Sequence, residues 1–118
     1  MGNSYLVRMG LSNLDQLAMK NNTEIKQVVP GEFVVSGELV FDKVVDLLDD
    51  SKRYFDGQLD MLFSLQYVDK TDSAGLALLV EWTRLANKQN QSIHFSDIPK
   101  QLLDIARVSG LDDLLPIV

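Results

Sequence analysis

The segment LDMLFSLQYVD, residues 59–69, is a nearly continuous apolar run of strand length. Runs of this kind belong to strands buried on both faces, as in parallel sheets covered by helices. Directly after it, KTDSAGLALLVEW places an acid, a serine and a glycine within four positions and then opens an apolar helical pattern from about Ser73 to Asn90. A buried strand that turns at once into an apolar helix is half of a crossover unit. The rest of the chain is therefore constrained to supply parallel partners and covering helices.

The flanking segments supply them. TEIKQVVPGEFVVSGELVF holds two β-branched and aromatic runs separated by Pro30-Gly31, the pattern of a hairpin. FDKVVDLLDDSKRYF puts Val44, Val45, Leu47, Leu48 and, a turn further on, Phe55 on one side of a helix that Gly57 closes, with Asp46, Asp49 and Asp50 facing water. SIHFSDI reads as a strand and PKQLLDIARVSG as a helix with Pro99 at its first turn and Gly110 past its end. LDDLLPIV is left as a tail. The order β-β-α-β-α-β-α predicts an α/β fold, with a mostly parallel sheet of four to five strands entered by a hairpin and flanked by helices.

With 118 residues the chain has room for one domain, and 46% apolar with 24% charged residues excludes the composition of disorder. The domain is expected over residues 23–118. Residues 1–22 form a leader in which Leu11, Leu14, Leu17 and Ala18 recur at helical spacing, Ser12 and Asp15 match a weak capping box, and Asn21-Asn22 end the pattern. This leader is expected to be disordered or a short helix, and Met9 and Met19 are alternative starts. It lacks the uninterrupted apolar core of a signal peptide, and nowhere do the ~18 apolar residues of a membrane span run together, so the expected location is the cytosol.

Charge and residue types exclude several function classes. A net charge of −6 disfavours phosphate backbones and anionic lipid surfaces. Most of the excess is local, with nine acids against four bases in residues 38–72, a stretch suited to a basic partner if the side chains cluster. The absence of cysteine removes thiolate chemistry and cysteine metal sites. No phosphate loop, dinucleotide fingerprint or metalloprotease motif occurs, and no cofactor or metal is expected. His94, the single histidine, fits a packed or half-exposed strand position rather than a base for Ser73. Asp49-Asp50 and Asp112-Asp113 are adjacent pairs that do not face each other, and so form no natural dyad. Trp82 lies inside a helix pattern and fits either a core position or a partner anchor.

What remains is Asp72-Ser73-Ala74-Gly75-Leu76. Ser73 fits a helix N-cap and Gly75 a tight bend from strand to helix, which explains the stretch structurally. The hydroxyl also lies at the C-terminal edge of a strand and at a helix N-terminus, where ligands and anions are presented.

FSLQYVDKTDSAGLALL resembles the central motif of STAS domains, the antagonist modules of sigma-factor and anti-sigma-factor regulation. VVSGELVF and IPKQLLDIARVSGLDDLLPI resemble that family's Gly-Glu-Leu strand end and its last helix and tail, so the likeness covers roughly residues 24–118. Ser64 stands where the family usually has Asp, and Thr71 where it usually has an apolar residue. DSAGLALLVEWTRLANKQ with GLDDLLP is most similar to the MlaB-type cytoplasmic subunits of phospholipid ABC transporters. The resemblance implies a non-catalytic subunit that docks on the transporter's ATPase, is held at the cytoplasmic face of the inner membrane by that partner, and binds neither nucleic acid nor the membrane directly. Its alternative implication is an anti-sigma-factor antagonist switched by phosphorylation of Ser73. By either route Ser73, Asp72, Ala74, Gly75 and Leu76 are the partner-binding or phosphorylation residues.

Overall fold

The computed structural model describes residues 23–118, and the leader helix expected over residues 11–18 lies outside them. The elements follow the predicted order: β1 (Glu24–Val29), β2 (Glu32–Leu39), α1 (Phe41–Ser51), β3 (Met61–Thr71), α2 (Ser73–Lys88), β4 (Ile93–Ser96) and α3 (Lys100–Val108). Strand order in the sheet is β1-β2-β3-β4, with β1 antiparallel to β2 and the other two pairings parallel. Val29 pairs with Glu32, so Pro30-Gly31 is the whole hairpin loop, and Gly31 has the left-handed φ of 83° that such a turn requires.

The central strand differs from its expectation. Met61, Phe63 and Leu65 are buried, whereas Leu62 and Ser64 are half-buried and Gln66 is exposed. β3 is thus covered on one face, and its even-numbered apolar residues are only partly sheltered on the other. Two register shifts against β2, between Val34 and Ser36 and between Gly37 and Glu38, insert extra β3 residues and break the alternation after Leu65. Sequence alone could not locate these bulges, because the apolar run crosses them uninterrupted.

The core lies between the sheet and the helices. Phe63 packs against Phe33 (5.0 Å between centroids), Trp82 (4.8 Å) and Phe95 (6.0 Å), joining β2, β3, α2 and β4. Trp82 is fully buried, which settles it as core, and its Nε1 donates to Ser51 Oγ at 2.7 Å. Ser51 Oγ in turn donates to the Leu48 carbonyl at 2.7 Å. A two-bond chain therefore ties the end of α1 to the middle of α2, and satisfies the indole N–H that burial would otherwise leave unpaired.

Three further expectations are corrected. Val45 does not share the buried side of α1 but is 64% exposed, and Phe55 reaches the core from beyond a 3₁₀ turn (Lys52–Tyr54) that follows the helix. α2 stops at Lys88, because Asn90 takes a left-handed φ of 57° and cannot continue it. The C-terminal segment is not a free tail: after a 3₁₀ turn at Asp112–Leu114, Phe95 N–H donates to the Pro116 carbonyl (2.9 Å) and Val118 N–H to the Phe95 carbonyl (3.0 Å), so the chain end runs parallel along β4.

The Trp82–Ser51 link predicts non-additive losses. Ser51→Ala strands a buried indole N–H and is expected to lower unfolding free energy by about 1–3 kcal/mol. Trp82→Phe is expected to cost a similar amount through the lost bond and the void. Urea unfolding of the double variant should show less than the sum of the two, since the second change removes a group the first has already orphaned. Strict additivity would show the bond to be energetically idle.

Candidate functional site

The C-terminal end of β3 delivers the chain to α2 through a corner in which each residue has a separate task. Thr71 is buried (2% exposed), and its Oγ1 donates to the Leu39 carbonyl at 3.1 Å. Asp72 N–H donates to the same carbonyl at 3.2 Å. The polar residue that departs from the family's usual apolar one thus has a partner, in the end of the parallel neighbour β2.

Asp72, not Ser73, is the N-cap of α2. Its Oδ1 accepts the Ala74 N–H at 2.8 Å, while its Oδ2 accepts the Phe41 N–H at 3.2 Å. Val40, the N-cap of α1, makes no side-chain cap bond, so the Asp72 carboxylate serves the first turns of two helices. Aspartate and serine are nearly equal as N-caps, and two candidates adjacent in sequence are indistinguishable until the backbone is placed. Asp72 is extended (φ −132°, ψ −166°), as an N-cap requires, and this puts Ser73 at the first helical position.

Gly75 is required for space rather than for a bend. A Cβ there would overlap Thr71 Oγ1 and lie 3.0 Å from the Leu39 carbonyl oxygen, so α2 can approach the ends of β2 and β3 only as glycine. Its φ is not in the left-handed region. Gly75 and Leu76 are buried, so of the five expected residues only Ser73 is exposed, with Asp72 and Ala74 half-buried. Ser73 Oγ has no hydrogen-bond partner among the described residues.

Ser73 opens onto a groove of about 560 Å³ between α1 and α2. Phe41, Val44, Val45 and Leu48 line it from α1, and Ala74, Ala77, Leu78 and Glu81 line it from α2. Phe41 is 78% exposed, an unusual state for the largest apolar side chain on α1. Phe41 and Val45 were not among the expected site residues. The available signal was that Phe41, Val44, Val45 and Leu48 make an apolar stripe wider than one buried face needs. Asp42, Asp46, Asp49 and Asp50 are all exposed on the same helix, so the acidic excess does gather on α1. Glu81 is the groove's one carboxylate, and the hydrogen bond from Arg84 (2.9 Å to Nε) holds it below the usual glutamate range. It is already engaged as an ion pair.

The remaining candidate residues lie elsewhere in the fold. His94 is exposed on β4 and pairs with Leu62 at the start of β3, whereas Ser73 follows the end of that strand. Nine intervening strand residues at ~3.3 Å each separate them by roughly 30 Å, so they cannot form a dyad. Among the described residues no group of three or more His, Asp or Glu side chains could hold a metal ion, and no helix is long and apolar enough to cross a membrane. Ser64, where the family usually has aspartate, donates to Asp97 Oδ2 at 3.3 Å and lies away from the groove.

This geometry predicts opposite roles for the neighbours. Asp72→Ala should lower stability by about 1–2 kcal/mol, since one cap and a second N–H acceptor are lost, and Asp72→Asn should recover only the α2 cap. Ser73→Ala should change stability by no more than ~0.5 kcal/mol, as at other exposed positions. Thermal or urea melts check both, and a Ser73→Ala loss as large as that of Asp72→Ala would return the cap to Ser73.

The chain matches the family described as "Mlab, STAS domain" over residues 26–116. It is similar to the anti-sigma-B factor antagonist of Bacillus subtilis (strain 168), 24% identical over 106 residues that cover 89% of this chain and 91% of that protein. Its fold is similar to the structure of the anti-sigma factor antagonist SpoIIAA in its unphosphorylated form, with a TM-score of 0.63 and 14% identity over 82% of this chain and 86% of the other. The shared path of strands and helices agrees with the α/β architecture derived from the segments above. Together with the Asp72-Ser73 corner at the end of β3, the match over residues 26–116 places this chain in the STAS-domain family.

Proposed function

We propose that the chain is a non-catalytic protein-binding module that docks partners through the α1–α2 groove and is switched by phosphorylation of Ser73, in the manner of an anti-sigma-factor antagonist. The observation that carries this reading is the exposed Ser73 hydroxyl, without a hydrogen-bond partner among the described residues, on the lip of an apolar groove. An exposed Phe41 and Val45 beside it are the kind of apolar centre on which interface energy concentrates. The likeness to the anti-sigma-B factor antagonist supports this partner class.

The switch follows from charge. Phosphorylation replaces the hydroxyl proton with a group of about −1.5 to −2 charge. At the first turn of α2 the helix dipole favours that charge, so the fold tolerates it. A partner seated on Phe41 and Val45 would have to strip water from the phosphate while the Asp72 carboxylate lies one residue away. Docking is lost although the domain stays folded.

A second reading keeps the surface and changes the partner: an ATPase subunit of a phospholipid ABC transporter, with the domain held beneath the membrane by that subunit. The family description "Mlab, STAS domain" and the DSAGLALLVEW likeness favour it. On that reading docking is constitutive and Ser73 is unmodified.

Co-purification from the native host with mass spectrometry separates the two. An anti-sigma factor or serine kinase bound to the unmodified chain, with phosphate on Ser73 in the unbound fraction, is the expected result, and an ABC ATPase with Ser73 unmodified throughout would establish the second reading. Under either, Ser73→Asp should remain folded and lose at least ~2 kcal/mol of binding, about thirtyfold in affinity. Undiminished capture of the identified partner by Ser73→Asp would remove the groove lip from the interface.

A further inference from the structure

The two helices beside the groove run in step. Asp72 accepts the Phe41 N–H and Trp82 donates to Ser51, and each bond joins residues 31 apart in sequence. A constant offset from Phe41 to Ser51 on one helix and from Asp72 to Trp82 on the other sets α1 and α2 side by side in the same direction. Asp42 is then level with Ser73, and Asp46 with Ala77. The groove is a straight trough floored by Val44, Leu48, Ala74 and Leu78.

Its two rims differ in charge. On α1, Asp42 and Asp46 are exposed one turn apart, and neither makes an ion pair among the described residues. The next acid, Asp49, is held by Lys52 at 3.4 Å. On α2, Ser73, Ala77 and Val80 are exposed and uncharged, and the first charged side chains after them, Glu81 and Arg84, pair with each other. The trough therefore offers apolar surface, two unpaired carboxylates along one side and none along the other.

A third helix fits the trough between two parallel ones, with axes roughly 8–10 Å apart, and its apolar residues at i, i+3, i+4 and i+7 then meet Phe41, Val45 and the floor. Asp42 and Asp46 lie ~6 Å apart along α1, which is the spacing of two side chains four residues apart on an incoming helix. A second copy of this chain is a poor occupant. It carries the same net charge of −6 and brings the same acids to the trough. A two-fold arrangement would set those acids against one another or strip their water on the uncharged rim, with no cation to compensate.

We propose that the occupant is an amphipathic helix of a partner protein with two unlike edges: Lys or Arg residues four apart lie against Asp42 and Asp46, and small uncharged residues lie against Ser73, Ala77 and Val80. This names the chemistry of the partner and rests on the docking role proposed above. The basic edge steers encounter, while the close-packed edge is the one that a charge on Ser73 disrupts.

Two stapled helical peptides test the charge preference on the full-length, isotope-labelled protein. Both carry the same leucine face and alanine edge, and they differ only in having lysines or glutamates along the remaining edge. The lysine peptide is expected to shift the amide signals of Phe41, Val45 and Ala77, to lose affinity severalfold as salt rises to about 1 M, where screening acts within ~3 Å, and to bind at least tenfold more tightly than the glutamate peptide. Asp42→Lys and Asp46→Lys, both at exposed positions, should each narrow or reverse that preference. Equal binding of the two peptides, binding of neither, shifts confined to Val34, Leu62 and His94 on the other face of the sheet, an unchanged preference in both variants, or groove signals that move with protein concentration alone, which marks a second copy, would each overturn the proposal. No partner is present in this titration, so its failure leaves Ser73-controlled docking standing, and undiminished partner capture by Ser73→Asp leaves the charge preference of the groove standing.

Discussion

The carboxylate of Asp72 holds together the end of the domain that carries the candidate site. One oxygen caps α2 at Ala74 and the other takes the first N–H of α1 at Phe41. Both N–H groups belong to helix first turns, which have no intrahelical acceptor, and α1 has no capping side chain of its own. The two helices that form the groove are therefore registered to each other by one side chain at the point where both leave the sheet. Thr71, Leu39 and Gly75 reinforce that registration from beneath, since α2 can sit this low only where no Cβ intervenes.

The sheet explains why the groove is at this end and on this side. β2 and β3 run parallel, so their C-terminal ends, Leu39 and Thr71, meet side by side and release α1 and α2 together. In open α/β sheets that edge is where successive crossovers leave a crevice. The bulges in β3 contribute by re-aiming its last residues: after Leu65 the strict alternation is lost, and Thr71 arrives facing Leu39. The Trp82–Ser51 bond ties the end of α1 to the middle of α2, so two polar ties join the helices that form the groove.

Element order was legible because each segment carried its own period and punctuation: Pro30-Gly31 for the hairpin, Gly110 after α3, and the apolar helix after Asp72. Where reading failed, the deciding quantity was a distance between segments far apart in sequence. Asp72 and Ser73 are equivalent caps until Phe41 is seen 31 residues away with an unmet N–H. Gly75 looks like a bend residue until Thr71 and Leu39 are seen to fill its Cβ position. Val45 looks like core because periodicity assigns a side of the helix but not the width of what covers it. The apolar run of β3 suggested two buried faces, yet half-buried Leu62 shows that an apolar residue on a sheet need not be covered by a helix.

On the reading proposed above, separate roles for Asp72 and Ser73 would suit the corner to regulation. If Ser73 were the cap, modifying it would remove a helix-start hydrogen bond and alter folding and docking together. With Asp72 carrying the cap, the Ser73 hydroxyl bears no intrachain bond among the described residues, so chemistry there leaves the corner intact. The added charge is then felt mainly by whatever covers Phe41 and Val45. A fold-neutral, interface-sensitive position is what a reversible switch on a marginally stable domain requires, because about 1–2 kcal/mol lost from the fold is a large fraction of the total while the same loss at an interface only tunes occupancy.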